Sequence, residues 1–455
     1  MLKFHLLIVT FLLFLLAGLS TKAQPRIGDP GVTFDSSKLD TNYPQMAKWM
    51  TAGVRGGIPF MNQLTIKDTL LSGATSDDII QAIAEVAALG GGTVLLKNGI
   101  YTIDKQVNMA SNVSLLGESR NGVKCMVYMG GQSSFYFPPN VNKSGIYRLT
   151  IEGSWGEPTY NWNYGLAAND ELVGNDNILV KFKDSEDCWL DQVNLINSAR
   201  DPMRCNATHT TFRDLIVYGA HRKAGGAQGY FFIQNAYNLV TGCQITNLRH
   251  ISLQGPNVEY NVVYDNNFHQ EISFHTGDNG NNLIEHNKVI LPFDMPPVAV
   301  GDADAVTPVE ARNDKPVYFA IMGPWSTQHT NSANPNFLIN NQCKQLNHEY
   351  GCPTPWSQPG ILYTGPKTLG LTIQQRIDNF PAVVDSALPK GGTLYPVIAQ
   401  TVYAHLTDTT KIACDDGDPC TIDDYYDTNC NCVGRSCNLT PLKIKLHNNQ
   451  LIIVE

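Results

Sequence analysis

The sequence is poor in charged residues and contains no run of lysine or arginine. Charged residues make up 16% of its 455 positions, and the formal net charge is −9 at pH 7. A protein that binds nucleic acid needs clustered cations to neutralise phosphates, so we expect no nucleic-acid partner. An acidic substrate is not excluded, because a local basic cleft can lie in an acidic protein.

Long hydrophobic runs are absent beyond the N-terminal segment. There, the apolar run Leu6–Leu19 is followed by the small residues Thr21 and Ala23. This pattern predicts a signal peptide over residues 1–23, because the run is short for a membrane span. We therefore expect an exported, extracellular protein that is cleaved near Ala23 and has no membrane span.

Residues 187–291 contain no segment that is long and periodic enough to be a crossover helix. This region instead repeats short strand patterns, which are Leu190–Val193–Leu195, Phe212–Leu215–Val217, Val240–Cys243–Ile245, Val258–Asn261–Val263 and Ile284–Asn287–Val289. Their starts are 22, 28, 18 and 26 residues apart, which suits the coils of a parallel β-solenoid. Asn261 and Asn287 fit an internal amide ladder. A βαβ sheet is excluded because it needs crossover helices.

An amphipathic helix is predicted to start at Ser76, after an irregular lead-in over residues 24–75. Two acids follow this cap, and Ile79, Ile83 and Val86 share one apolar face. Three glycines at 90–92 end the helix, and strand patterns follow at once. Such a helix would cover the end of a sheet that is otherwise open to aggregation.

The run from Ser76 to Gly117 resembles the entry segment of the pectate-lyase-like superfamily of right-handed parallel β-helices. The resemblance rests on the Asp-rich helix start, Gly-Gly-Gly-Thr-Val, an Asn-Gly-x-Tyr turn and Ser-Asn-Val-x-Leu-x-Gly. It implies an all-β, right-handed parallel β-helix with an N-terminal capping helix, which we place over residues 76–400. The superfamily holds polysaccharide lyases, hydrolases, epimerases and tailspikes, so the resemblance implies a polysaccharide partner without naming the reaction.

Polar residues follow the first strand of each central coil. Alignment of these segments places Arg204, Gln234, Gln254 and His275 in one stack, with neighbouring coils about 4.8 Å apart. The predicted catalytic residues are Lys223, His250, His269, Glu271, His275 and Asp278. The predicted substrate-binding residues are Arg204, His221, Arg222, Gln234, Arg249, Gln254, Trp162 and Trp325.

This basic mixture suits an anionic polysaccharide, whose carboxylates or sulfates pair with arginine and lysine. β-Elimination needs a neutralised carboxylate, a base for the C5 proton and an acid for the leaving oxygen. Lys223, Arg222 or one of the histidines at 250, 269 and 275 supplies the base, since burial in a positive cleft lowers proton affinity.

Two alternatives remain open at this stage. Glycoside hydrolysis needs two carboxylates, for which Glu271 and Asp278 are one pair and Asp201 and Asp265 are substitutes. A non-catalytic glycan-binding or adhesin solenoid is the other alternative. The residue series of polygalacturonases and the acidic calcium cluster of pectate lyases are both absent from the sequence.

Neither a metal nor a cofactor is assigned by a standard motif. The set His269, Glu271, His275 and Asp278 has ligand chemistry, but its spacing matches no known metal site, so we predict no metal there. Zinc or calcium is the alternative for this set, and Ca²⁺ is the candidate ion for the acidic tail. The oligomeric state is left open between monomer and trimer.

Loops and a tail complete the domain plan. An aromatic loop containing Trp162 either stacks sugars or packs over the coil edge, and a long excursion over residues 293–335 carries Trp325.

A linker over residues 401–412 leads to a Cys- and Asp-rich module over residues 413–455, too small to hold a core without disulfides or a cation. Among the 11 cysteines, Cys343 and Cys352 are predicted to pair, and those at 125, 188, 205 and 243 to be unpaired core fillers.

Overall fold

The structure is a computed structural model. It describes residues 25–159, 171–223, 227–269, 272–274, 277–291, 332–334, 336–345, 362–364, 382–383, 389–399, 421–426, 432–436, 443–447 and 450–454. Within these ranges, no helix is both long and apolar enough to cross a membrane. The predicted signal peptide and linker lie outside them. The predicted disulfides involve side chains that are also outside the described residues.

The chain folds as a right-handed parallel β-helix, as predicted, and each coil passes through three parallel sheets. Sheet A contains Ile66–Leu70, Gly92–Leu96, Val113–Gly117, Asn142–Tyr147, the second half of Ile178–Asp191, Thr211–Arg213, Leu239–Thr241, Val262–Tyr264, Leu283–Glu285 and Phe337–Ile339. Sheet B contains Gly99–Ile103, Val123–Val127, Thr150–Gly153, Asn194–Ser198, Ile216–Ala220, Gln244–Thr246, Asn267–His269, Lys288–Leu291 and Gln342–Gln345. Sheet C contains Val107–Asn108, Ser133–Phe137, the first half of Ile178–Asp191, Asp201–Thr208, Tyr230–Ile233, His250–Leu253 and Ile272–Ser273.

Five short antiparallel strand pairs lie outside these parallel ladders in the described part of the chain. Leu362–Thr364 joins sheet A antiparallel to Phe337–Ile339 and pairs with Ala382–Val383. The remaining antiparallel pairs are Thr33–Phe34 with Val397–Ile398, Thr421–Tyr426 with Cys432–Ser436, and Lys443–His447 with Gln450–Val454.

The interior is filled by the apolar side chains that alternate inward along each strand. In sheet C, the paired residues Val180, Met203, Phe231, Ile251 and Ile272 form one fully buried column. The cysteines at 125, 188, 205 and 243 are buried free thiols, which confirms their prediction as core fillers.

The predicted amide ladder exists, but as two ladders at different corners. Between sheets C and A, Asn238, Asn261, Asn282 and Asn336 are joined by side-chain bonds of 3.0, 2.9 and 2.9 Å. Between sheets A and B, Asn266, Asn287 and Asn341 are joined by bonds of 2.8 and 3.0 Å. Each amide also accepts a backbone N–H, so these buried polar groups are satisfied across coils.

Four of the five strand patterns identified in the sequence each span two strands, one in sheet A and one in sheet B, which meet at a corner. A single left-handed residue forms this corner, for example Asp214 and Asp265 at φ 52° and 58°. The pattern around Asn261 belongs to the preceding corner. Residues at equivalent positions in successive central coils are therefore 28, 23 and 21 residues apart in sequence. The equivalent position in the following coil lies 54 residues later, because the excursion over residues 293–335 lies in between.

The capping helix spans Ser76–Ala88 and buries Ile79, Ile83 and Val86 against the first coils. Its N-cap is Thr75, one residue earlier than predicted. Thr75 and Asp78 form a reciprocal capping box. The other helical segments are Met46–Trp49, Ser36–Lys38 and Met61–Gln63.

The lead-in lies against the outer face of sheet A. Trp49 donates its indole N–H to the Asn281 carbonyl at 2.7 Å, and Arg213 in sheet A forms buried ion pairs with Asp191 and the lead-in residue Asp29. Sheet A is therefore covered by the chain itself. The outer face of sheet C is instead bordered by the loops that connect B to C.

Candidate functional site

The outer face of sheet C carries two neighbouring rows of outward side chains. Strand register places Lys181, Arg204, Phe232, Ser252 and Ser273 in one row. The predicted single stack of Arg204 with Gln234 and Gln254 is therefore wrong, because Arg204 pairs with Phe232.

Gln234 and Gln254 occupy the second row, two residues further along their strands. They follow Ile233 and Leu253, which are paired directly. Both rows face the same side of sheet C, since they are two residues apart. His275, the fourth member of the predicted stack, lies outside the described residues.

Two cations, Lys181 and Arg204, occupy adjacent positions in the first row. Burial and the charges of Arg204, Lys183 and Arg200 lower the pKa of Lys181, whose ammonium lies 6.0 Å from the Tyr136 ring centre. The Arg204 guanidinium lies 5.0 Å from the Phe232 ring centre and is paired with Asp201 at 2.7 Å. An anion bound here would offset the charge of Lys181, which forms no ion pair within the described residues.

Several buried polar atoms on or beside this face have no hydrogen-bond partner within the described part of the chain. They include Nε of Arg200, Nε of Arg204, Oε1 of Gln228, Oγ of Ser252 and Oγ of Ser273. Buried polar groups in folded proteins nearly always have partners, so such a group calls for an explanation. A polar molecule bound along sheet C would supply the missing partners.

A buried cluster lies where the B-to-C loops meet sheet C. Lys223 donates to Oδ1 of Asn247 at 2.6 Å, and Arg249 donates to the Lys223 carbonyl at 2.7 Å. His250 packs edge-on against Tyr230, with ring centres 4.9 Å apart. Lys223, Arg249 and His250 are 0%, 6% and 1% exposed. The structure thus brings together three of the predicted site residues.

Gly229 makes this close packing possible. Its φ is +73°, and a Cβ there would lie 2.8 Å from Cγ of Lys223 and 3.3 Å from Cβ of Arg249. A larger residue would be strained by its backbone and would displace the lysine stem. The chain therefore directs Lys223 across this glycine toward the next coil.

The other basic residues of this corner are engaged with acids. The two ring nitrogens of His221 lie 3.1 Å from a Glu171 carboxylate oxygen and 3.1 Å from the Gly156 carbonyl. Arg222 and Arg200 share the carboxylate of Asp176. His221 and Arg222 thus border the cluster without entering it.

Three of the four carboxylates considered for hydrolysis lie in the described part of the chain. Asp201 is fully buried and accepts from Arg204 and from the Tyr230 N–H, and burial raises its pKa. Asp278 accepts from Ser332, Asn336 and the Gly280 N–H at the end of an asparagine ladder. Asp265 lies at the A–B corner.

The remaining predicted residues are elsewhere or outside the described part. His269 ends a strand of sheet B, and burial lowers its pKa. Glu271, Trp162 and Trp325 lie outside the described residues. Trp155, at the start of the aromatic loop, packs against the core. In the described part of the chain, no three His, Cys, Asp or Glu side chains form a metal-binding group.

Sequence reasoning missed Lys181, Arg200, Tyr230 and Asn247. The outward orientation of Lys181 could have been predicted from the sequence, because the apolar residues Val180 and Phe182 flank it in a strand. Tyr230 and Asn247 had none, since their roles depend on contacts between neighbouring coils.

No family model matches the chain, and no curated protein matches it. Similar solved structures include an exopolygalacturonase from Thermotoga maritima, with 14% identity, 55% of this chain and 71% of that chain covered, and a TM-score of 0.31. A pectin methylesterase from Erwinia chrysanthemi has 14% identity, coverage of 50% and 67%, and a TM-score of 0.28. The mannuronan C-5 epimerase A-module from Azotobacter vinelandii has 13% identity, coverage of 49% and 78%, and a TM-score of 0.26. Likeness at these values carries no argument about activity.

Proposed function

We propose that this protein is a secreted enzyme that cleaves an anionic polysaccharide by β-elimination on the outer face of sheet C. The polymer contains uronate or sulfate groups. The observation that carries the proposal is the coincidence, on one face, of crowded cations with buried polar atoms that have no partner.

Binding is assigned to the partly exposed end of the first row, at Lys181 and Arg204. These two residues lie in adjacent coils, at the spacing of neighbouring β-strands. Anionic groups of a polymer that runs along the solenoid axis would meet them in succession. The unpartnered Nε atoms of Arg200 and Arg204 provide two further donors.

The chemical step is assigned to the buried corner cluster. Lys223 accepts the C5 proton, the C5–H electron pair forms the C4=C5 double bond, and the C4–O bond breaks. Tyr230 or His250 donates a proton to the leaving oxygen, and Arg249 neutralises the uronate carboxylate. These residues are brought together by two consecutive coils, so the reacting groups are held in place before substrate arrives.

The described carboxylates favour elimination over hydrolysis. A hydrolase needs one carboxylic acid and one free carboxylate beside the same bond. Asp201 is occupied by Arg204 and a backbone N–H, while Asp278 is occupied by three donors at a ladder end.

The test is incubation of the purified protein with pectate, alginate and chondroitin sulfate while ultraviolet absorbance and reducing ends are followed together. We expect both to rise, because elimination leaves an unsaturated uronate at each new end. New reducing ends without absorbance would show hydrolysis and contradict the proposal. Retention on a polysaccharide column without any cleavage would show a binding solenoid instead.

A further inference from the structure

A recess of about 560 Å³ lies on sheet A, on a different face from the proposed catalytic groove. Its floor includes an outward row of sheet A in which Thr93, Ser114, Gly145 and Trp189 occupy successive coils. Residues 54–67 of the lead-in form the opposite wall. The recess exists because Thr93, Ser114 and Gly145 are small residues and the lead-in does not fill the space above them.

Trp189 forms part of the lining of this recess. The residue is 2% exposed, its ring centre lies 5.6 Å from that of Tyr147, and its indole N–H interacts with the Tyr147 side chain. The indole lies over Gly145, where a Cβ would come within 2.1 Å of Nε1. Trp189 therefore places an indole N–H beside the recess, where its NMR signal reports on a bound ligand.

The rim of the recess is positive. Its described lining contains Arg55, Lys67 and Lys143 and no carboxylate. Arg55 is neutralised by Asp187 and Glu186 at 2.6 and 2.7 Å. The two lysines are exposed and join no ion pair among the residues that the structure describes. An anionic ligand would therefore find two ammonium groups at the rim that no described carboxylate neutralises.

We propose that this recess is a second, non-catalytic binding site for a segment of acidic saccharide about two sugars long. Gln63 and Asn112 add amide groups that suit sugar hydroxyls, and the volume falls within the usual range of small-molecule sites, about 300–1,000 Å³. The choice of an acidic saccharide rests on the proposed function. The site itself is independent of the groove, because sheet A and sheet C face different directions.

The experiment uses the full chain with ¹⁵N-labelled tryptophan and follows the indole N–H resonances of the six tryptophans. Trp189→Phe assigns the Trp189 signal. The probes are digalacturonate, lactose as a neutral disaccharide and inorganic sulfate as a small anion. We expect digalacturonate to shift the Trp189 signal saturably, and lactose and sulfate to have little effect.

The matched variants separate the lysines of the recess from general surface charge. Lys67→Gln combined with Lys143→Asn removes both charges, and asparagine suits the left-handed backbone at position 143, where φ is 51°. We expect digalacturonate to bind about tenfold more weakly for each lysine lost, whereas Lys48→Gln on the lead-in leaves binding unchanged.

Three results would overturn the inference. They are no shift of the Trp189 signal with any probe, an equal shift with sulfate alone, or an unchanged affinity in the double variant. Failure of the proposed function would look different, because a protein without lyase activity would still show the Trp189 shift. Conversely, the double variant is expected to cleave soluble polymer at the wild-type rate.

Discussion

Lys223 combines three features of a catalytic base: burial, proximity to a second cation and a fixed position. Its stem crosses Gly229 and its ammonium reaches Asn247 in the next coil. Lys223→Met keeps the length of the stem and removes the proton acceptor. We expect turnover to fall by about 100-fold or more, the usual contribution of acid–base catalysis. The rate of ultraviolet absorbance increase on the cleaved polymer measures this.

Lys124→Met on sheet B is the matched control and should leave turnover unchanged. The melting temperature of Lys223→Met should stay within a few degrees of wild type, because each buried hydrogen bond contributes about 1 kcal/mol. Retained turnover would show that Lys223 is not the base. Loss of cooperative unfolding would show that Lys223 mainly holds the corner together.

Lys181 gives the groove a pH dependence whose direction follows from its neighbours. Burial and nearby cations lower its pKa below the ordinary 10.5, so its charge is lost earlier than that of a surface lysine as pH rises. Affinity for an anionic polymer should therefore weaken as alkaline pH approaches that value. Lys181→Arg should bind with a flatter profile, because guanidinium stays protonated.

Titration calorimetry with pectate at several pH values measures this profile. Lys105→Arg, an exposed lysine paired with Asp77, is the control and should reproduce the wild-type profile. Identical profiles for wild type and Lys181→Arg would mean that Lys181 does not contact the polymer.

Single outward residues were the hardest to predict from sequence. The alternation around Lys181 shows only that it faces outward, not which residue of the next coil it meets. That partner depends on corner lengths, which vary from coil to coil. The alignment of Arg204 with Gln234 failed for this reason, since it compared sequence positions instead of paired strands.

At the scale of elements, the segment 389–399 is held on sheet A by one carboxylate. Glu285 accepts from the Thr393 hydroxyl and from the N–H groups of Leu394 and Tyr395. Burial nevertheless outweighs these bonds and raises the pKa of Glu285 from 4.5 to about 7. The folded state therefore binds this proton more tightly than the unfolded state.

The sign of the resulting pH effect follows directly. A raised pKa in the folded state stabilises the fold below about 4.5, and that contribution is lost as pH rises through about 7. We expect the free energy of unfolding to fall by about 3 kcal/mol across this window, since one pKa unit is about 1.4 kcal/mol. Chemical denaturation at a series of pH values measures the change.

Glu285→Gln should remove this part of the pH dependence. His286 titrates nearby, and its bond to Asp265 raises its pKa, so His286→Gln is the companion variant. If wild type and Glu285→Gln lose stability equally between these pH values, Glu285 does not control the docking of this segment.

The elements themselves were largely predictable, and the reasons are local. The capping helix follows from its own apolar face and acids, and the asparagine ladders follow from asparagine at inward positions. The coil period did not follow as simply. The pattern around Asn261 lies at the corner between sheets C and A, whereas the other four patterns lie at the corner between sheets A and B. Asparagine occurs at both corners, and the mismatch made two of the four predicted coil lengths wrong.

At the scale of the molecule, the lead-in divides the solenoid into faces with different roles. It covers much of sheet A, where the buried pair of Arg213 with Asp29 joins lead-in to coil. Breaking such a pair costs several kcal/mol, so this cover is a permanent part of the fold. Sheet C carries no comparable strap within the described residues, and its outward residues Lys181 and Arg204 are partly exposed.

The tail should be separable from catalysis. Its four described strands pair only with one another, as two hairpins, and none joins sheets A, B or C. We therefore expect deletion of residues 413–455 to leave lyase turnover of soluble polymer within about twofold of the full chain. Changes in two parts of a protein that share no contacts have nearly independent effects. Turnover and cooperative unfolding are measured on the same preparations. Lost turnover with unfolding still cooperative would show that the tail contributes to the groove and that the domain boundary near 413 is wrong.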